Sequence, residues 1–260
     1  MTRQSIRLSP LHNQCSLALA AAGLLLLYLL PMAQAARPPL NLPGMTVNVA
    51  ERYVDIEATV CLDEGMLELV ACTKGTKEHE SIVAVEASPM HIHTALLVLG
   101  ATNGHPAIRQ PHEPPDVGWI DVPPEGDPIE VFLVLPDAAG QPVEHPVSEF
   151  VVPAGLDSDG AAGDGGDEGG FPDAFLFAGS HLRDNGDGPR TYLADESGDV
   201  ISIATFGDEL LCLDGIHGHG NDALLWQVNP ENLPPVGAKV TLRLRVRKPD
   251  AAPATADPPS

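Results

Sequence analysis

Apolar and polar residues alternate through TVNVAERYVDIEATVCL (46–62), where Val54, Ile56 and Ala58 fall on one face. This period of two belongs to a half-buried strand. Asp63-Glu64-Gly65 is a turn signal, and LELVACT (67–73) reads as the returning strand of a hairpin. KGTKEHE then turns the chain again, into a third strand, SIVAVEA (81–87). The period changes in SPMHIHTALLVLGATNG. Ser88 suits an N-cap, Pro89 the first helical position and Gly100 the stop, which predicts a short, mostly buried helix over 89–99. Further strands are expected at 119–122, 129–135, 174–179, 191–206 (turning at ESGD), 210–214, 223–229 and 240–247. VSEFVV (147–152) reads as a strand or a helical turn. The 26 prolines and 25 glycines fit short elements joined by tight turns. The expected class is β-rich α+β: antiparallel sheet or sheets with one or two short helices, in a single domain over 45–248.

The ends and one internal stretch carry no such period. Arg3 and Arg7, an apolar run from Leu17 to Leu30 and the Ala33-Gln34-Ala35 site have the layout of a cleavable signal peptide over 1–35. An uncleaved N-terminal anchor is the alternative. Residues 36–44 read as an extended leader, 153–170 as a flexible acidic Gly/Asp-rich insertion and 249–260 as a disordered tail. Cleavage removes two arginines and no acid, so the formal charge of −22 falls to −24. A chain so acidic repels phosphate backbones, which argues against a nucleic-acid partner. The expected location is periplasmic or secreted, with no transmembrane segment after signal cleavage.

Candidate chemistry concentrates in KGTKEHES (74–81), which offers Lys77, Glu78, His79, Glu80 and Ser81 as ligand-binding residues. On a strand, His79 and Ser81 share a face, but no third group completes a hydrolytic set. The alternative is a polar turn whose His79 bonds a neighbouring backbone group. On the predicted helix His93 points to the core and His91 to the open side. A buried imidazole needs a polar partner, and the preceding strand offers His79 or Glu80. His79, Glu80 and His93 are therefore candidate ligands for a divalent metal, the alternative being a hydrogen-bonded core histidine. His217 and His219, in the loop GIHGHG, form a second metal candidate against a flexible surface loop. Beyond Cys15, three cysteines remain: Cys61, Cys72 and Cys212. A disulfide between Cys61 and Cys72, across the expected hairpin, stands beside the alternative of three buried free thiols. The chain has no CxxC, GxGxxG or P-loop, so neither an iron–sulfur cluster nor a nucleotide cofactor is expected.

CTKGTKEHESIVAVEASPMHIHTALLVLGA (72–101), preceded by ATVCLDEGMLELVA, resembles the signature region of the YdjY-domain proteins. FLFAGS (175–180), YLADESGDVIS (192–202) and NPENLPPVGAKVTLRLR (229–245) continue the resemblance in order. It implies an exported bacterial protein of a family without an established activity. Some members carry a ferredoxin-like label, which would need a cysteine cluster that this chain lacks. The expected function is a non-catalytic binding module of the cell envelope, taking a metal ion, a small ligand or a partner protein. The alternatives are a metal-dependent enzyme using His79, Glu80 and His93, and a purely structural envelope protein.

Overall fold

The computed structural model describes residues 40–113, 118–154, 170–218 and 225–247. The expected signal peptide, the first four residues of the leader (36–39), most of the insertion and the tail lie outside them, as does His219. Eight strands carry the fold: β1 (Tyr53–Val60), β2 (Leu69–Thr73), β3 (Ser81–Val85), β4 (Pro128–Pro136), β5 (Ala174–Leu176), β6 (Asp199–Ser202), β7 (Leu211–Cys212) and β8 (Lys239–Val246). They pair in the order β1-β8-β4-β5-β7-β6-β2-β3, and β3 pairs back onto β1, so the sheet closes into a barrel. Six pairings are antiparallel. The expectation of a β-rich, mainly antiparallel fold holds, but the sheet is a closed ring with no open edge among these strands.

The barrel wall has two halves. Along β1, β4 and β8 every second residue is buried, with Val54, Ile56, Ile129, Leu133, Leu242 and Leu244 in the core and mainly polar residues outside on β1 and β8. β3 and β6 are buried at every position, as continuous apolar runs are when both faces are covered. Two short connections supply the outer cover. β2 and β3 run parallel, Leu69 opposite Ser81 and Thr73 opposite Val85. The chain must therefore return ~13 Å along the strand within residues 74–80, a stretch that extends at most ~25 Å. β6 and β7 are also parallel, and residues 203–210 make the second return. KGTKEHE is thus a crossover and not a hairpin turn, and β3 lies between β1 and β2.

On the solvated half, Arg243 ties the outer face together. Its guanidinium donates to both Asp55 oxygens at 2.6 Å and to Glu144, and it stacks 3.8 Å above the Tyr53 ring. Arg245 first, then Arg243, holds the Glu144 carboxyl below its ordinary range. Removing Arg243 leaves Asp55 without its bidentate partner. Arg243→Ala is expected to cost about 2 kcal/mol in urea unfolding at pH 7, between the values for exposed and buried pairs.

Helix α1 (Pro89–Val98) forms where the Ser-Pro start and Gly100 place it, and Ile92, Ala95 and Leu96 join the barrel core. Its cap differs from the expectation. Ser88 Oγ donates to Asp195 Oδ1, and the same oxygen accepts the Met90 N–H at 3.0 Å. Asp195 belongs to α2 (Leu193–Ser197), a short helix inside the stretch expected to be strand. Gly198 ends α2 in the left-handed region (φ 87°), which glycine enters without a Cβ penalty. No helix among the described residues is long and apolar enough to cross a membrane.

Candidate functional site

The two crossovers meet over β2, β3 and β6. Lys77, from the first, extends its ammonium to 2.7 Å from Asp199 Oδ1 and 3.0 Å from Oδ2, the latter with hydrogen-bond geometry. The same ammonium lies 3.5 Å above the ring of Phe206, from the second crossover, a cation–π arrangement. Asp199 opens β6 opposite Cys72, and its side chain is 1 % exposed. Burial pushes its carboxyl up to about 6, against the opposing pull of Lys77. Asp208 adds to the upward push. Glu209 is fully buried in the second crossover, and its carboxylate accepts the Phe206 N–H at 3.2 Å.

Beneath this pair lies a small apolar cluster separate from the barrel core: Leu69, Cys72 and Ala84, with Cys61 and Phe206 against it. Cys61 stays in register beside β3 through its N–H to Ile82 O (3.0 Å), and its thiol approaches Ser81 O at 3.1 Å. The Cys61 side chain packs against the cluster that holds Cys72. Cys72 is the more acidic, lowered to about 6 by the Cys61 thiol first, then by Ser81, the Lys77 N–H and Thr76. The Cys61 thiol is correspondingly raised. The expected disulfide is not formed, and both cysteines are free. The reason is topological. The hairpin expected to appose them is replaced by the crossover, which places β3 between β1 and β2. Cys212 is a third free, buried thiol, raised chiefly by burial.

The crossover holds its other polar groups in local bonds. Ser81 is fully buried and donates to Lys77 O at 2.8 Å. Glu78 accepts the Gly75 N–H, which holds its carboxyl below the ordinary range. Residues 78–80 form a 3-10 turn and not a strand, so His79 and Ser81 do not share a strand face. His79 points outward, 78 % exposed, with Glu80 Oε2 at 3.6 Å. Burial, then Glu68, raises the Glu80 carboxyl.

His93 sits elsewhere. Its Nδ1 lies 2.8 Å from Tyr192 Oη, whose own proton goes to Gly179 O. Phe177 packs edge-on against the ring at 4.8 Å. With the tyrosine proton spent, His93 Nδ1–H is the donor. No group of three or more His, Cys, Asp or Glu side chains able to hold a metal ion occurs among the described residues, so His79, Glu80 and His93 do not assemble as a metal site. His217 turns Nε2 to Asp214 O at 2.7 Å, within its own loop. The half-buried His93 and the exposed His91 match the helical reading, but the partner is Tyr192 and not the crossover. His93→Ala is expected to lower thermal stability by about 2 kcal/mol, and His91→Ala by less than about 0.5 kcal/mol. Equal losses would contradict this placement.

Asp199, Phe206 and Thr76 were not singled out from the sequence. Asp199 had a usable signal: an acid leading directly into the apolar run VISIA needs a counter-charge once buried. A concavity lies on the solvated half of the wall, over β1, β8 and β4. It is a groove of about 580 Å³ whose lining includes Glu57, Thr59, Glu86, Lys239 and Thr241, with Val134.

A closed barrel of mixed pairing, capped by helix α1 and crossed outside by two short parallel returns, defines the class. The YdjY domain model matches residues 45–245, and the chain belongs to that family. No curated protein and no solved structure matches.

Proposed function

We propose that this protein is an exported, non-catalytic binding module of the cell envelope, and that a small zwitterionic ligand occupies the groove over β1, β8 and β4. The groove carries the reading. Its volume of about 580 Å³ falls within the range of small-ligand sites, ~300–1,000 Å³. It is built on the three most regular strands of the barrel, so its walls are rigid. Both signs of charge line it, Lys239 beside Glu57 and Glu86, and Glu86 is also paired with Lys74 at 2.9 Å. Thr59 and Thr241 add hydroxyls, and Thr59 already accepts from Lys239 at 2.7 Å. Export rests on the N-terminal pattern of charge, apolar run and small residues.

Calorimetry against a panel of free amino acids and dipeptides tests the reading. At least one member should bind with a dissociation constant below about 1 mM (about 4.1 kcal/mol), and Lys239→Ala with Glu57→Gln should abolish its heat. Silence across the panel, or binding that survives both substitutions, would reject the groove.

A further inference from the structure

We propose that Cys61 and Cys72 together bind one soft monovalent cation, such as Cu(I), as a linear dithiolate, at a site distinct from the groove. Both thiols lie on one face of the sheet, with Ala84 of the intervening strand beside them. The small Ala84 side chain lets the sulfurs meet across β3. The β1-β3-β2 order sets the two cysteines on strands that flank β3, and both are free thiols. A linear S–metal–S unit with bonds of ~2.3 Å holds its sulfurs ~4.6 Å apart, a span open to two thiols packed in one small cluster. Zinc favours four ligands, and no group of three or more His, Cys, Asp or Glu side chains able to hold a metal ion occurs among the described residues. Soft thiolates select Cu(I).

The surroundings fit a charged product. Binding replaces two S–H bonds with two S–metal bonds and releases two protons to solvent, with no change of oxidation state. The dithiolate complex carries one negative charge. The Lys77 backbone N–H stands beside Cys72 Sγ, while the nearby Ser81 and Thr76 hydroxyls donate to Lys77 O and Thr73 O. The half-buried Cys61 gives the ion its way in, and the fully buried Cys72 shields it from water. Cys212, buried on β7, is not part of the pair.

The test uses the full chain carrying Cys15→Ser, reduced and anaerobic, titrated against Cu(I)-bicinchoninate. The expected result is one equivalent of Cu(I) withdrawn per chain. Cys61→Ser and Cys72→Ser should each weaken the competition at least 100-fold, while Cys212→Ser leaves it unchanged. Thermal unfolding of the ion-free variants confirms that they fold. Uptake that survives Cys72→Ser would overturn the proposal. So would no uptake by chains whose three thiols titrate as reduced, or air oxidation to a Cys61–Cys72 disulfide with the melting temperature preserved.

Discussion

Replacing Lys77 by methionine is expected to destabilise the protein by about 3 kcal/mol at pH 8, the low end for breaking a buried ion pair. That corresponds to roughly 6–12 °C in melting temperature for a domain of this size. Methionine keeps the apolar stem over Phe206 and removes only the charge, which leaves Asp199 buried and unpaired at 1 % exposure. The loss depends on pH, and its sign follows from Asp199. The folded-state value of about 6 lies above the ordinary 3.8, so the folded chain binds this proton more tightly than the unfolded chain. The contribution of Asp199 to stability is fully present below the ordinary value and lost as pH rises through about 6. Without Lys77 the carboxyl rises further, since Lys77 is what lowers it, while Asp208 still pushes it up. The variant should therefore approach the parent in stability near pH 5 and diverge from it by pH 8. Lys77→Met combined with Asp199→Asn should recover most of the loss at pH 8. Denaturant melts of the four proteins across this range check the cycle. A Lys77→Met cost that is small and flat in pH would mean the pair does not hold the crossover.

Gly198→Ala should cost a similar amount, for a different reason. Gly198 has φ +87°, and a Cβ there would lie 2.4 Å from Thr76 Oγ1 and 2.7 Å from Thr73 Oγ1. The left-handed backbone costs an L-residue about 1–2 kcal/mol, and the collision with the crossover adds to it. About 3 kcal/mol in total is expected from these two sources together. Gly140→Ala is the control. Its φ is +77°, but a Cβ would meet nothing within 4 Å, so only the backbone cost of about 1 kcal/mol should appear. Equal losses at the two glycines, read by thermal unfolding, would show that the crossover is not packed on Gly198.

What the sequence disclosed follows from how locally each feature is encoded. Val54, Ile56 and Ala58, and the alternation in β4 and β8, are legible because one face of each strand meets solvent. The Ser88-Pro89 start and Gly100 stop mark α1, although Asp195, 105 residues from Met90, supplies the cap. The crossover misleads because parallel strands ordinarily need a connection of a dozen or more residues, so seven polar residues between two apolar runs look like a hairpin turn. Barrel closure depends on β3 returning to β1 and has no local mark. The partners that complete the site are also remote. Lys77 meets Asp199 across 122 positions, and His93 meets Tyr192 across 99. LADES (193–197) is too short for a helical period to show against its strand-like flanks.

Lys77 and Asp199 fasten a crossover over the two thiols. Residue-resolved alkylation of the folded chain at pH 8, by a brief maleimide pulse and peptide mapping, tests this. Cys61 should label first, Cys72 and Cys212 should be protected, and Lys77→Met should expose Cys72 while Cys212 stays protected. Labelling of Cys72 as fast as Cys61 in the parent, or protection of Cys72 unchanged by Lys77→Met, would contradict it.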